Sequence, residues 1–324
     1  MTKDEKQSLG AEAGTQIPVD QERMQQGAFG AKMGEVLIER AIQTTGVSAI
    51  ALVVMIFFFL IREGVPAFVQ VPLRDLFSAR WYPIEGYYGL LPLIAGSLMI
   101  TLGAAVISLP LGVATAVFIA EIAPDWAREI LKPLVEVLAG IPSVVIGFLG
   151  MLVIAPFFRT FFDIPTGLTA FTGIVLLAWM ALPTVVSVVE DVLDTVPKTY
   201  RDAGLALGMT RWQTISRIVI PAGRSGIVTA LMLGVGRAVG ETMTVMMVTG
   251  NAPRMPRHPL DIFMPVRTMT ATIAAEMGEV AHGSTHYHVL FAVGLTLFVI
   301  TFLANLVAAS VVSRTIRRSE RMLS

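Results

Sequence analysis

Six stretches of 19 to 30 residues, five of them without a single ionisable side chain, divide the sequence between Ala41 and Val312. A helix needs about 20 apolar residues to cross a bilayer. Backbone amides have no other partner in hydrocarbon, so such stretches can only be helices inside a membrane. The expected spans are 41–61, 91–120, 140–158, 168–189, 226–250 and 289–312. Charged residues make up 15% of the chain, against about 25% in soluble domains. That deficit and the zero net charge exclude an ordinary soluble enzyme and leave no basic face for nucleic acid. With no cysteine, disulfides, thiolate metal sites and cysteine nucleophiles are excluded too.

The fold expected is therefore an all-α integral membrane bundle of six transmembrane helices. Residues 1–40 are rich in Gln, Glu, Gly and Lys and read as a largely disordered cytoplasmic tail. The first apolar segment begins too late for a secretory signal and is expected to remain as a span. Pro110 and Gly112 interrupt the second stretch, but either half would be too short to cross alone. Trp81, Tyr82, Tyr87 and Tyr88 before it read as an interfacial aromatic belt.

Basic residues set the orientation. Arg314, Arg317, Arg318 and Arg321 follow the last span, with 319–324 as the tail end. Lys198, Arg201, Arg211, Arg217 and Arg224 lie between the fourth and fifth spans. Two spans separate these regions, so both are expected in the cytoplasm, together with the N-terminus. On the same side, Trp126, Ile130, Leu131, Leu134, Val135 and Leu138 recur at helical spacing opposite Arg128, Glu129, Lys132 and Glu136. They predict an amphipathic helix lying against the bundle.

The segment 190–224 carries the most specific pattern. Around Gly208 it reads as two short helices joined at a residue whose missing Cβ permits a sharp turn. Ala203, Leu207, Trp212, Ile215 and Ile218 offer apolar contacts, and Pro221 closes the segment. An apolar-faced helix of this kind suits a partner's groove; a connector lying on the bilayer is the other reading. Asp202-Ala203-Gly204, then Gly208, then Ile218-Val219-Ile220-Pro221 resembles the EAA loop of ABC-importer permeases, with Asp for Glu, Gly for Ala and Ile for Leu.

Further stretches narrow the resemblance to phosphate-specific ABC permeases of the PstC type. They are residues 62–67, 140–147, 236–243, 250–253 and 268–278, with His286-Tyr287-His288 before the last span. The resemblance covers about 41–318 and implies the type I ABC-importer permease fold and one half of the pathway of a high-affinity, ATP-driven phosphate importer. It implies four kinds of partner: a PstA-type second permease as heterodimer, an ATPase dimer inside, a phosphate-binding protein outside, and the bilayer of a bacterial inner membrane. It assigns ATPase coupling to Asp202, Ala203, Gly204, Gly208, Ile218 and Pro221. No Gly-x4-Gly-Lys-Ser/Thr loop is present, so the chain is expected to be non-hydrolytic and to bind no cofactor, ATP and Mg being handled by the ATPase.

Within the fifth span, Arg237 and Glu241 stand four residues apart. An Arg at mid-membrane costs at least about 2.5 kcal/mol, so it must face a cavity or a partner. The spacing predicts an ion pair on one helix face. Either the two merely neutralise each other, or Arg237 reads an anion with its planar fork while Glu241 accepts a phosphate proton that sulfate lacks. Thr242 and Ser143 are the other candidate pathway residues. Ser143 stands beside Pro142, which is placed in the first turn of the third span. His282, His286 and His288 are expected to be solvated or interfacial, with no metal, and the scattered methionines to be packing. The competing functions are a permease for another oxyanion such as sulfate or molybdate, and a stand-alone secondary transporter.

Overall fold

The computed structural model describes the backbone of residues 19–256, 258 and 261–323, with side chains described from 37 to 310 within that range except 308. The chain divides into two compact units, residues 1–59 and 60–324. Helix α1 runs Val19–Gln70 and holds the first apolar stretch, whose most apolar window has no buried residue. The tail expected over 1–40 is thus helical from Val19; residues 1–18 lie outside the described residues.

After the short helix α2 (Leu73–Leu76), strands β1 (Trp81–Tyr82) and β2 (Tyr87–Tyr88) pair as a hairpin in the register Trp81 to Tyr88. Helix α3 (Leu91–Val117) runs unbroken through Pro110 and is prolonged by a π turn over Phe118–Ile122. Then come α4 (Asp125–Gly140), α5 (Ser143–Leu149), a π turn over Gly150–Ile154, and α6 (Ala155–Phe161). Helix α7 (Ala170–Thr195) is capped by the Thr169 side chain, which accepts from the Thr172 amide. The loop helices are α8 (Lys198–Ala206), α9 (Arg211–Thr214) and α10 (Ile220–Ala222), with a π turn over Ile215–Val219. Helices α11 (Arg224–Gly240), α12 (Met243–Val248), α13 (Met269–Glu276) and α14 (Thr285–Leu323) complete the chain.

Among the described residues five helical stretches are long and apolar enough to cross a bilayer. The count is six if the pair Arg211–Ala222 and Arg224–Gly240, bent by 73°, is one span. Two boundaries differ from the sequence expectation in ways that matter. The third span starts at Ser143, with Pro142 extended just outside it rather than in its first turn. The expected continuous span over 226–250 is broken, because Glu241 leaves the helix with extended dihedrals (φ −67°, ψ 129°) before α12 begins. At the chain end α14 carries the helix to Leu323, through the stretch expected as a tail.

Within residues 60–324, α3 and α7 pack most closely. A Cβ on Gly112 would fall 2.6 Å from Val185 Cγ1, so only glycine lets the two helices approach at this point. One apolar cluster (Val117, Ile119, Val189, Leu193, Ile215, Val219) sits at the end bearing the α8–α10 loop. A second (Ala67, Leu76, Trp81, Leu93, Met269, Leu290) sits at the hairpin end.

Three surface expectations change. Trp81 is not part of an interfacial belt: it is buried, and its indole N–H donates to Glu276 Oε1 at 3.2 Å. A buried indole needs such an acceptor. His286 and His288 are half-buried rather than solvated, His286 lying 2.8 Å from Glu276 Oε2 and His288 2.8 Å from the Glu63 carbonyl. On α4, only Leu131 and Val135 of the apolar set join the core, while Trp126, Ile130 and Leu134 stay exposed. The charged face instead faces α7, through Arg128 to Asp194 at 2.6 Å and Lys132 to Glu190 at 3.3 Å. Hydrogen bonding to Asp194 holds the Arg128 guanidinium above its ordinary range, against the burial that opposes it.

Candidate substrate pathway and coupling loop

Arg237 lies in the last turn of α11 and is exposed. Its Nη1 donates to Thr184 Oγ1 on α7 at 3.1 Å. Glu241 is one helical turn further along, yet Arg237 and Glu241 are not among the ion pairs of the described residues. The expected four-residue pairing requires an uninterrupted helix, and the break after Gly240 removes it. Glu241 instead turns onto the start of α12, where its Oε1 accepts from the Thr244 amide at 3.1 Å. Its own carbonyl accepts from Thr270 Oγ1 at 3.1 Å. The Thr244 amide and the Glu241 carbonyl at the break are thus partnered, as polar backbone groups inside a membrane span need to be.

Thr244 is buried and ties this break to two other helices. Its hydroxyl lies 2.8 Å from the Ser143 carbonyl of α5 and 3.2 Å from Met180 Sδ of α7. Thr242 donates to the Gly240 carbonyl at 3.2 Å. The four pathway candidates thus fall into two groups. Glu241, Thr242 and Ser143 gather around the α11–α12 break, with Thr244 joining them, while Arg237 faces Thr184. Met180 and Thr184 stand one turn apart on α7 and meet α12 and α11 respectively. Thr184 and Thr270 escaped the sequence reading. The one local signal was a hydroxyl directly after Pro183 within an apolar span, a pattern too common to single out.

The loop is built from the residues upward in the same way. Gly208 adopts φ +79°, and its position has open space around it, so backbone conformation alone demands glycine there. Helix α9 opens with a capping box: Thr210 Oγ1 accepts from the Gln213 amide at 3.2 Å and Gln213 Oε1 from the Thr210 amide at 2.9 Å. Gly204 is buried where a Cβ would lie 2.9 Å from Ile218 Cδ1 and Thr214 Oγ1, which locks α8 onto the π turn after α9. Pro221 sits in the first turn of α10, and the change of direction comes after Ala222, not at the proline.

Asp202 and Ala203 are exposed, as are Tyr200, Leu205, Leu207 and Trp212. Leu207 is 81% exposed and Trp212 61%, so of the expected apolar contacts Ile215 is spent inside and these two are free. Large apolar side chains around a rigid glycine turn form the kind of knob that a partner's groove receives.

Residues 108–317 match the model of the family described as binding-protein-dependent transport system inner membrane component. The chain is 40% identical over 270 residues to the probable ABC transporter permease protein YqgH of Bacillus subtilis, covering 82% of this chain and 86% of that one. It is 38% identical to the phosphate transport system permease protein PstC of Mesorhizobium japonicum, over 74% of this chain and 78% of the relative. The Haemophilus influenzae PstC is 32% identical, with 74% and 80% covered. Among solved structures, the inward-facing MetNI methionine ABC transporter aligns with TM-score 0.55 at 19% identity, over 73% of this chain and 99% of that one. A bacterial ABC transporter that imports alginate aligns with TM-score 0.54 at 17% identity, over 86% and 98%. At those identities the likeness establishes the fold, that of an ABC-importer permease. The chain therefore belongs to the family of binding-protein-dependent transport system inner membrane components, as a multi-pass permease of the PstC type.

Proposed function

We propose that this chain forms half of the translocation pathway of an ATP-driven importer of inorganic phosphate in the bacterial inner membrane. The observation that carries the reading is the exposed, glycine-hinged knob at Leu207 and Trp212 on a permease fold that also holds Arg237 within its broken span. The knob gives an ATPase dimer something to grip, and Arg237 gives a tetrahedral oxyanion a planar donor fork. The relatives named for phosphate transport support phosphate as the cargo. A PstA-type permease supplies the other half, and a phosphate-binding protein delivers from outside. ATP and Mg belong to the ATPase; this chain needs no cofactor of its own. Glu241 suits phosphate over sulfate, because a carboxylate accepts the proton that phosphate retains near neutral pH.

Radiolabelled phosphate uptake by the assembled complex tests the cargo. Uptake should persist against an equal concentration of sulfate; equal inhibition by sulfate would move the assignment to another oxyanion. Orientation has its own test, since the chain has no native cysteine to give background. Thr210→Cys should react with an impermeant thiol reagent from the cytoplasmic face only, and Ser284→Cys from the outer face only. Labelling of both from one face would refute cytoplasmic termini with an outer 251–288 segment.

A further inference from the structure

The last carbonyls of a helix have no amide partner within it and carry the negative end of its dipole. At the end of α7 the Leu193 carbonyl accepts from the amide of the cap residue Val196 at 3.2 Å, and the carbonyl of Val196, which is extended, lies just beyond the helix. Both are taken by one side chain, Arg201 of α8: Nη2 donates to Leu193 at 2.9 Å and Nη1 to Val196 at 2.6 Å. The same guanidinium donates through Nε to Glu121, at 3.1 Å from Oε1 and 3.0 Å from Oε2, and through Nη2 to Oε1. Glu121 lies in the π turn that prolongs α3, with its side chain 7% exposed. Hydrogen bonding to Glu121 holds the guanidinium above its ordinary range, against the burial that opposes it.

One planar fork thus fastens the loop helix α8 to the ends of both α3 and α7. A lysine keeps the charge but not the fork, and cannot reach three acceptors in fixed directions. From Leu193 back to Thr184 is nine helical residues, about 14 Å at 1.5 Å per residue, without Pro or Gly between them. Arg128 and Lys132 of α4 clamp the same stretch from another side, through Asp194 and Glu190. Thr184 then holds Arg237.

We infer that Arg201 is a positioning residue for transport: it carries displacement of the α8–α9 loop into α7, and so into the Thr184–Arg237 contact. The inference rests on the reading that this loop seats on an ATPase. Arg201 itself faces inward, with its side chain 23% exposed, so its work is done through α7 rather than on the anion.

The test uses the whole complex in proteoliposomes and reads three quantities: ATPase retained through purification, ATP hydrolysed, and phosphate moved per ATP. Arg201→Lys should retain the ATPase and hydrolyse within about twofold of wild type. Phosphate per ATP should fall roughly tenfold, within the range of a coupling free energy between sites. Glu121→Gln, which keeps an acceptor but not the charge, should lower the ratio by less. A purely structural role would reduce complex and both activities in proportion, and an unchanged ratio in Arg201→Lys would overturn the inference. So would loss of ATPase retention in that variant, since Arg201 would then be shaping the docking knob. If the Arg201→Lys chain itself fails to insert into the membrane, Glu121→Gln decides alone, a lowered ratio supporting the inference and an unchanged one refuting it. A wild-type complex that never holds an ATPase would refute the underlying reading instead.

Discussion

Replacing Arg237 by Leu should abolish phosphate uptake, and adding Glu241→Leu should not restore it. Had the two side chains served only to neutralise each other, the double change would remove both charges from the span and recover an active permease. The structure gives them separate tasks: Arg237 donates to Thr184 on α7, and Glu241 accepts from the Thr244 amide at the start of α12. Losses at sites without a shared partner add rather than cancel. The expected fall in uptake is ~100-fold or more for either Leu variant of Arg237, about 2.7 kcal/mol at 1.36 kcal/mol per decade. Arg237→Lys should be nearly as damaging, because the ammonium lacks the planar fork. Glu241→Gln keeps an oxygen for the Thr244 amide, so it should retain part of the uptake while admitting more sulfate competition. Uptake assays normalised to the amount of inserted protein make the comparison. Near wild-type uptake by the double Leu variant would remove Arg237 from the pathway.

Gly208→Val should insert normally yet lose ATPase association and transport together. At φ +79° with open space around the position, the penalty is conformational and not a clash. A residue forced into the left-handed region costs about 1–3 kcal/mol, and a β-branched one lies toward the upper end. The loop relieves that strain by re-aiming α9, which carries Trp212, relative to α8, which ends beside Leu207. Gly208→Asn is the informative partner, because Asn tolerates the left-handed region. It should keep most of the ATPase through purification. Equal loss in both variants, or full transport by the Val variant, would show that the turn is not what the partner reads.

The histidines at the start of α14 show how neighbours distant in sequence change a local reading. His286 and His288 stand in a short polar stretch at the start of an apolar helix, and nothing nearby in sequence marks them as half-buried. Glu276 accepts from the Trp81 indole and pairs with Arg267 at 2.8 Å and with His286, so residues from three separate segments complete the cluster. Arg201 repeats the lesson. In sequence it is one of several loop cations; its acceptor Glu121 lies 80 residues away in the chain.

Hydropathy alone established that the chain is a helical membrane bundle, because a lipid environment leaves an apolar stretch of that length one way to satisfy its backbone. Local pattern also located the glycine turn of the loop between α7 and α11, since a left-handed turn needs glycine whatever surrounds it. Tertiary structure decided the fate of the charges. An i, i+4 spacing pairs Arg237 with Glu241 only if the helix continues, and whether it continues depended on partners in other helices. Thr270 of α13 and Ser143 of α5, far from Glu241 in sequence, stand where the groups around the α11–α12 break can be satisfied. Sequence periodicity carries the geometry of one helix, whereas a break is stable only when the packing of several supplies the missing hydrogen bonds.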